Sequence, residues 1–201
     1  MDTPLMLFLN VWIKFFFLFT PFFALSMFLS MTEDYTEGRR RRLALSVSGA
    51  VAVVCLILLV VGNRLFALFG ITLDSFRIGA GALLFLSAVN LVQGRVAPPG
   101  KTEDIAVVPL AIPIVVGPAT TGTLLVMGAE LQGFALKTLG SLALLLAVVS
   151  LGAVLLCGSL IQRTLGNRGI SILTKITGLI LAALAAQMIM TGIQGFSSAA
   201  T

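Results

Sequence analysis

Residues 109–123 read Pro109-Leu-Ala-Ile-Pro113-Ile-Val-Val-Gly117-Pro118-Ala-Thr-Thr-Gly122-Thr123. Each proline removes a backbone donor and crowds the preceding turn, so a regular helix cannot run through three of them. The chain is expected to break before Pro118 and restart there, because proline suits the first position of a helix. The N–H groups of Ala119, Thr120 and Thr121 would then lack helical partners. The stretch is otherwise apolar, and an unpaired backbone group in hydrocarbon costs several kcal/mol. Such a break survives only where protein or a water-filled cavity covers it.

The same punctuation occurs earlier, in Phe15-Phe-Phe-Leu-Phe-Thr20-Pro21-Phe-Phe-Ala-Leu-Ser26, where Thr20 is a candidate N-cap and Pro21 a first helical residue. Pro21 and Pro118 are 97 residues apart, as are Gly81 and Gly178, and Asn90 and Gln187. Each half therefore reads as one structural unit. If a unit holds three membrane helices, an odd number, the second copy enters the bilayer upside down. Inverted repeats of this kind place a binding site near mid-membrane, where the two copies meet.

The fold class expected is all-α: six transmembrane helices as two inverted three-helix repeats, about 4–94 and 101–195, with broken first and fourth helices. The whole chain, 1–201, is one transmembrane domain. Only 10 % of the residues are charged and 58 % are hydrophobic, whereas a soluble domain carries about a quarter charged residues. Spans of roughly 20 apolar residues are read at Leu5–Met31, Leu43–Gly62, Phe76–Gly94, Ile105–Gly128, Leu139–Ile161 and Leu173–Gly195. Little remains outside them for a catalytic or nucleic-acid-binding module. The first span is too long for a cleavable signal peptide and contains Lys14.

The net charge of +5 reflects basic residues in short loops, where they set orientation rather than bind nucleic acid. With loops on alternating sides, nine fall on one side: Arg39 to Arg42, Arg95, Lys101, Arg163, Arg168 and Lys175. Four fall on the other: Lys14, Arg64, Arg77 and Lys137. The richer side is expected to be cytoplasmic, which puts both termini outside. The arginine run also suits anionic membrane lipid.

The chemistry of the site follows from the breaks. A half-helix N-terminus offers free donors and a partial positive charge, which suits an anionic group such as a carboxylate. Gly117 and Pro118 would form it, with hydroxyls from Thr120, Thr121 and Thr123, and the break at Thr20-Pro21 would supply the facing wall. The alternative is a proline kink in a continuous helix, with the threonines bonding back to their own backbone. Asn90 and Gln187 would face the cavity as uncharged amides or join helices. All eight acidic residues lie in loops or at span ends, so no mid-membrane carboxylate is available as a proton relay.

The chain has no histidine, and Cys55 and Cys157 do not have CxxC spacing. No cofactor, metal site or catalytic set is expected, and the protein does not read as an enzyme.

With these segments placed, the chain resembles the MarC family of integral membrane proteins, also described as small neutral amino-acid transporters. Pro109-Leu-Ala-Ile-Pro-Ile-Val-Val-Gly-Pro118 is similar to the family's P-L-A-x-P-x-x-x-G-P. Phe76-Arg-Ile-Gly-Ala-Gly81 is similar to its F-R-I-A-G-G, and Phe28-Leu-Ser-Met-Thr32 to its F-L-S-L-T. Where the family has N-P-x-x-x-x-P, this chain has Thr20-Pro21 and then Ser26.

The resemblance implies a multi-pass protein of the prokaryotic inner membrane that moves small neutral amino acids such as glycine or alanine. Substrate contact would fall to Thr20, Pro21, Ser26, Asn90, Gly117, Pro118, Thr120, Thr121 and Gln187. Na⁺ fits better than H⁺ as a coupling ion, and a homo-oligomer is compatible with the sequence. The competing expectation is a non-transporting accessory or scaffold protein whose breaks are purely structural.

Overall fold

The computed structural model describes residues 4–94, 111–112, 114–131 and 133–199. Its helices, in chain order, are α1 (Pro4–Leu18), α2 (Pro21–Met31), α3 (Glu37–Phe69), α4 (Leu73–Gln93), α5 (Pro118–Glu130), α6 (Phe134–Leu156) and α7 (Gly158–Ala199). Residues 111–112 and 114–115, just before α5, are π-helical. No strand occurs among the described residues.

Five helical stretches there are long and apolar enough to cross a membrane: Pro4–Met31, Glu37–Val61, Leu73–Gln93, Phe134–Leu156 and Gly158–Ser197. The expected fourth span, Ile105–Gly128, lies in part outside the described residues. Its described half is α5. Both expected breaks are present, since α2 begins at Pro21 and α5 at Pro118.

Two boundaries differ from the sequence reading. The sequence predicts the arginine run in a loop, yet Arg39 to Arg42 lie in the first turns of α3. At 33 residues, α3 reaches about 50 Å, more than the ~30 Å hydrocarbon core, so its polar end continues as helix beyond the apolar layer. The expected fifth span is divided between α6 and the start of α7. At Gly166 (φ 63°, ψ 174°) the backbone leaves helical geometry, and the sixth span follows as the remainder of α7.

Close packing uses glycine where backbones meet. A Cβ at Gly81 of α4 would lie 2.7 Å from Ile189 and 3.1 Å from the Ala185 carbonyl oxygen of α7. A Cβ at Gly178 of α7 would lie 2.8 Å from Val92 and 3.1 Å from the Ala88 carbonyl oxygen of α4. Early α4 therefore meets late α7, and the two helices run antiparallel. Helix α5 is held between α3 and α4, with Gly128 on the Leu59 carbonyl and Gly122 on Ala80. Helix α2 packs correspondingly on the α6–α7 junction, where Gly158 meets Leu25 and Leu29. Phe15, Phe19, Phe28, Leu124, Leu144 and Leu151 fill the centre, all fully buried.

Candidate functional site

The two breaks are built differently by local chemistry. Thr20 adopts the left-handed conformation (φ 47°, ψ 58°) and makes no side-chain cap bond. Gly117 is extended (φ −82°, ψ −179°). Each is followed by a proline, and each carbonyl accepts the first helical bond: Ala24 N–H donates to Thr20 O at 2.8 Å and Thr121 N–H to Gly117 O at 2.9 Å. Thr121 was expected to have a free N–H and does not, because Gly117 already acts as the N-cap. The N–H groups of Ala119 and Thr120 have no partner among the described residues.

The breaks meet. Thr120 Oγ1 donates to Val115 O at 3.1 Å and lies 3.4 Å from Leu18 O, at the end of α1. Thr123 Oγ1 donates to Ala119 O at 3.0 Å and approaches Met188 Sδ of α7 at 3.9 Å. Thr20, Thr120 and Thr123 are buried, and the only other buried polar residues among those described are Thr32 and Thr177. Among the described residues the buried centre is thus apolar apart from threonine hydroxyls and broken backbone.

Of the residues named from the sequence, Thr20, Pro21, Gly117, Thr120 and Thr121 gather at the breaks. Pro21 is buried, Gly117 and Thr121 are half-buried, and Pro118 is exposed. Ser26, Asn90 and Gln187 lie on exposed faces of α2, α4 and α7. The helical period explains this placement. Helix α4 buries Ala80, Gly81, Leu84, Ala88 and Leu91, and Asn90 is rotated about 100° from Leu91. Helix α7 buries Leu181 and Ala185, and Gln187 is about 200° beyond Ala185.

Two arginine contacts at the ends of the half-helices escaped the sequence reading. Arg77 of α4 bonds Asp74 and Glu130, each at 2.5 Å, so it ties α4 to the last residue of α5. Arg40 donates to the Thr32 carbonyl, the C-cap of α2, at 2.8 Å and to Ser159 Oγ at 3.0 Å. The three-residue spacing of Asp74 and Arg77 signals half of the first. Nothing in the sequence signals the rest.

A left-handed backbone costs a β-branched residue about 1–2 kcal/mol, and asparagine tolerates it better. Thr20→Asn is therefore expected to stabilise the protein by about 1 kcal/mol, read as a raised melting temperature in detergent. An unchanged or lower value would mean that the threonine side chain compensates for its own strain.

The family model described as MarC family integral membrane protein matches residues 5–197. A UPF0056 membrane protein of Aquifex aeolicus is 31 % identical over 198 residues, covering 94 % of this chain and 92 % of that one. UPF0056 membrane protein MJ1677 of Methanocaldococcus jannaschii is 33 % identical over 184 residues, covering 87 % and 90 %. UPF0056 membrane protein YhcE of Escherichia coli is 31 % identical over 199 residues, covering 92 % and 93 %. No solved structure matches the chain. A match of this extent means that the chain belongs to the MarC family of integral membrane proteins.

Proposed function

We propose that this protein is a secondary transporter or exporter of small neutral amino acids, of the glycine and alanine class, working by alternating access. The observation that carries this reading is the approach of two helix breaks, where buried Thr120 in the first turn of α5 reaches the Leu18 carbonyl just before the Thr20-Pro21 break. The substrate carboxylate binds the N–H groups of Ala119 and Thr120, and Thr121 adds a hydroxyl. Ala119, Thr120 and Gly122, small buried residues in the first turns of α5, suit a small substrate side chain. Na⁺ serves better than H⁺ as coupling ion, because threonine hydroxyls and carbonyls, not carboxylates, are the buried polar groups among the described residues.

The inverted repeat has support beyond the repeated prolines. Gly81 meets positions 185 and 189, and Gly178 meets positions 88 and 92. Each position in the second set differs by 97 from its counterpart in the first. A two-fold axis that exchanges the halves requires this reciprocity, with α4 and α7 antiparallel across it.

One observation favours the scaffold reading: the hydroxyls of Thr120 and Thr123 donate to nearby backbone carbonyls. Counterflow in proteoliposomes separates the two. Glycine, alanine and serine are expected to exchange while a large amino acid does not, and a Na⁺ gradient is expected to speed uptake. No exchange of any small amino acid would leave the scaffold reading standing.

Orientation in the inner membrane follows from the basic residues, with Arg39 to Arg42 cytoplasmic and both termini outside. In a variant lacking Cys55 and Cys157, a cysteine at position 40 is expected to resist an impermeant thiol reagent added to intact cells. A cysteine at 199 is expected to react. The reverse pattern would overturn this orientation.

A further inference from the structure

A pocket of about 290 Å³ opens at the arginine-rich end, between the start of α3 and the α6–α7 junction. Three arginines line it, Arg40, Arg41 and Arg163, and Glu37 is the one acidic residue among its lining. Arg40 and Arg163 are 123 positions apart in the chain; only the packing of α3 against the α6–α7 junction brings them together. The Arg40 guanidinium is already pinned, with one terminal nitrogen on Ser159 Oγ and the other on the Thr32 carbonyl. Its Nε is buried and has no hydrogen-bond partner.

The chemistry selects a phosphate group. Guanidinium forks match phosphate oxygens, and three of them around one cavity exceed what the lone Glu37 neutralises. Leu155, Leu156 and Leu160 give it an apolar wall as well. Leu156 and Leu160 are exposed, at 42 % and 63 %, at the end of α6 and the start of α7, two helices long and apolar enough to cross a membrane. A basic pocket between membrane helices, with exposed leucines beside it, fits a headgroup attached to acyl chains.

We propose that this pocket binds the phosphodiester of an anionic phospholipid, with Arg41 and Arg163 on its oxygens and the positive charge of the pinned Arg40 beside them. Because Arg40 also holds the C-cap carbonyl of α2, the bound lipid braces the end of a half-helix against the α6–α7 junction. The proposal does not depend on what the protein transports.

The test uses the full chain purified in neutral detergent. Its melting temperature is measured with added phosphatidylglycerol, phosphatidylcholine or inorganic phosphate. Phosphatidylglycerol is expected to raise it in a saturable way, phosphatidylcholine to leave it unchanged, and phosphate alone to have a much smaller effect. The double variant Arg41→Gln/Arg163→Gln is expected to weaken the phosphatidylglycerol response about tenfold, consistent with losing charge-assisted bonds. Arg168→Gln, outside the pocket, is expected to keep it.

A second readout needs no arginine change. Cys157 lines the pocket and is exposed, whereas Cys55 is buried. Phosphatidylglycerol is therefore expected to slow alkylation of Cys157 in the unaltered chain. Equal protection by phosphatidylcholine would overturn the proposal, as would a full response to phosphate alone. An undiminished response in the double variant, or unprotected Cys157 at saturating phosphatidylglycerol, would also reject it.

Discussion

Gly128→Ala is expected to lower the stability of the protein by about 3 kcal/mol or more, the upper end of the cost of overpacking a core. The added carbon would fall inside contact distance of the Leu59 carbonyl oxygen on α3. A flexible side chain could turn away, but a backbone oxygen held in a helix cannot move without its helix. The end of α5 must then withdraw from α3, which would also strain the Arg77–Glu130 ion pair beside it. The drop in melting temperature in detergent is expected to be on the order of 10 °C. Gly79→Ala is the control, since a Cβ at Gly79 meets nothing within 4 Å. Equal melting temperatures for the two variants would mean that α5 is free to shift.

The second large effect is expected at Gly117, and it concerns transport. Its extended backbone (φ −82°, ψ −179°) is open to any residue, so Gly117→Leu adds bulk without backbone strain. That bulk sits beside the donors of Ala119 and Thr120, where the substrate carboxylate is proposed to bind. Losing two bonds to a charged group costs about 3–6 kcal/mol, a hundredfold or more in apparent affinity. Uptake of glycine or alanine is therefore expected to fall to background at matched expression. Thr121→Val removes one hydroxyl and is expected to cost about 1 kcal/mol, roughly fivefold. Val53→Leu, at an exposed position, is expected to behave as the unaltered protein. Normal uptake by Gly117→Leu would turn the break into a purely structural feature.

The part of the candidate site that was legible in the sequence is the part made by local backbone chemistry. Pro21 and Pro118 announce helix starts wherever they are placed, since a missing N–H and a fixed φ act within a residue or two. The conformation of Thr20 was not legible. Nothing local drives a β-branched residue into the left-handed region, and here the packing of α1 and α2 on either side has to hold it there. The two arginine clamps were hidden for a related reason: Arg40 and Ser159, like Arg77 and Glu130, come together only once their helices are packed.

Composition and spacing alone determined that the chain lives in a membrane, where its helices break, and which positions recur 97 residues apart. Each of these rests on a solvent or backbone constraint that acts before any helix meets another. Which face of each helix turns inward was decided only by the tertiary structure. In water a helix shows an apolar stripe because one side must leave the solvent. In a bilayer the lipid is as apolar as the core, so every side of α4 and α7 can be hydrophobic. Asn90 and Gln187 therefore carried no mark of their outward placement. Small residues that allow close approach, such as Gly81 and Gly178, set the rotation of the two helices and with it the direction in which both amides point.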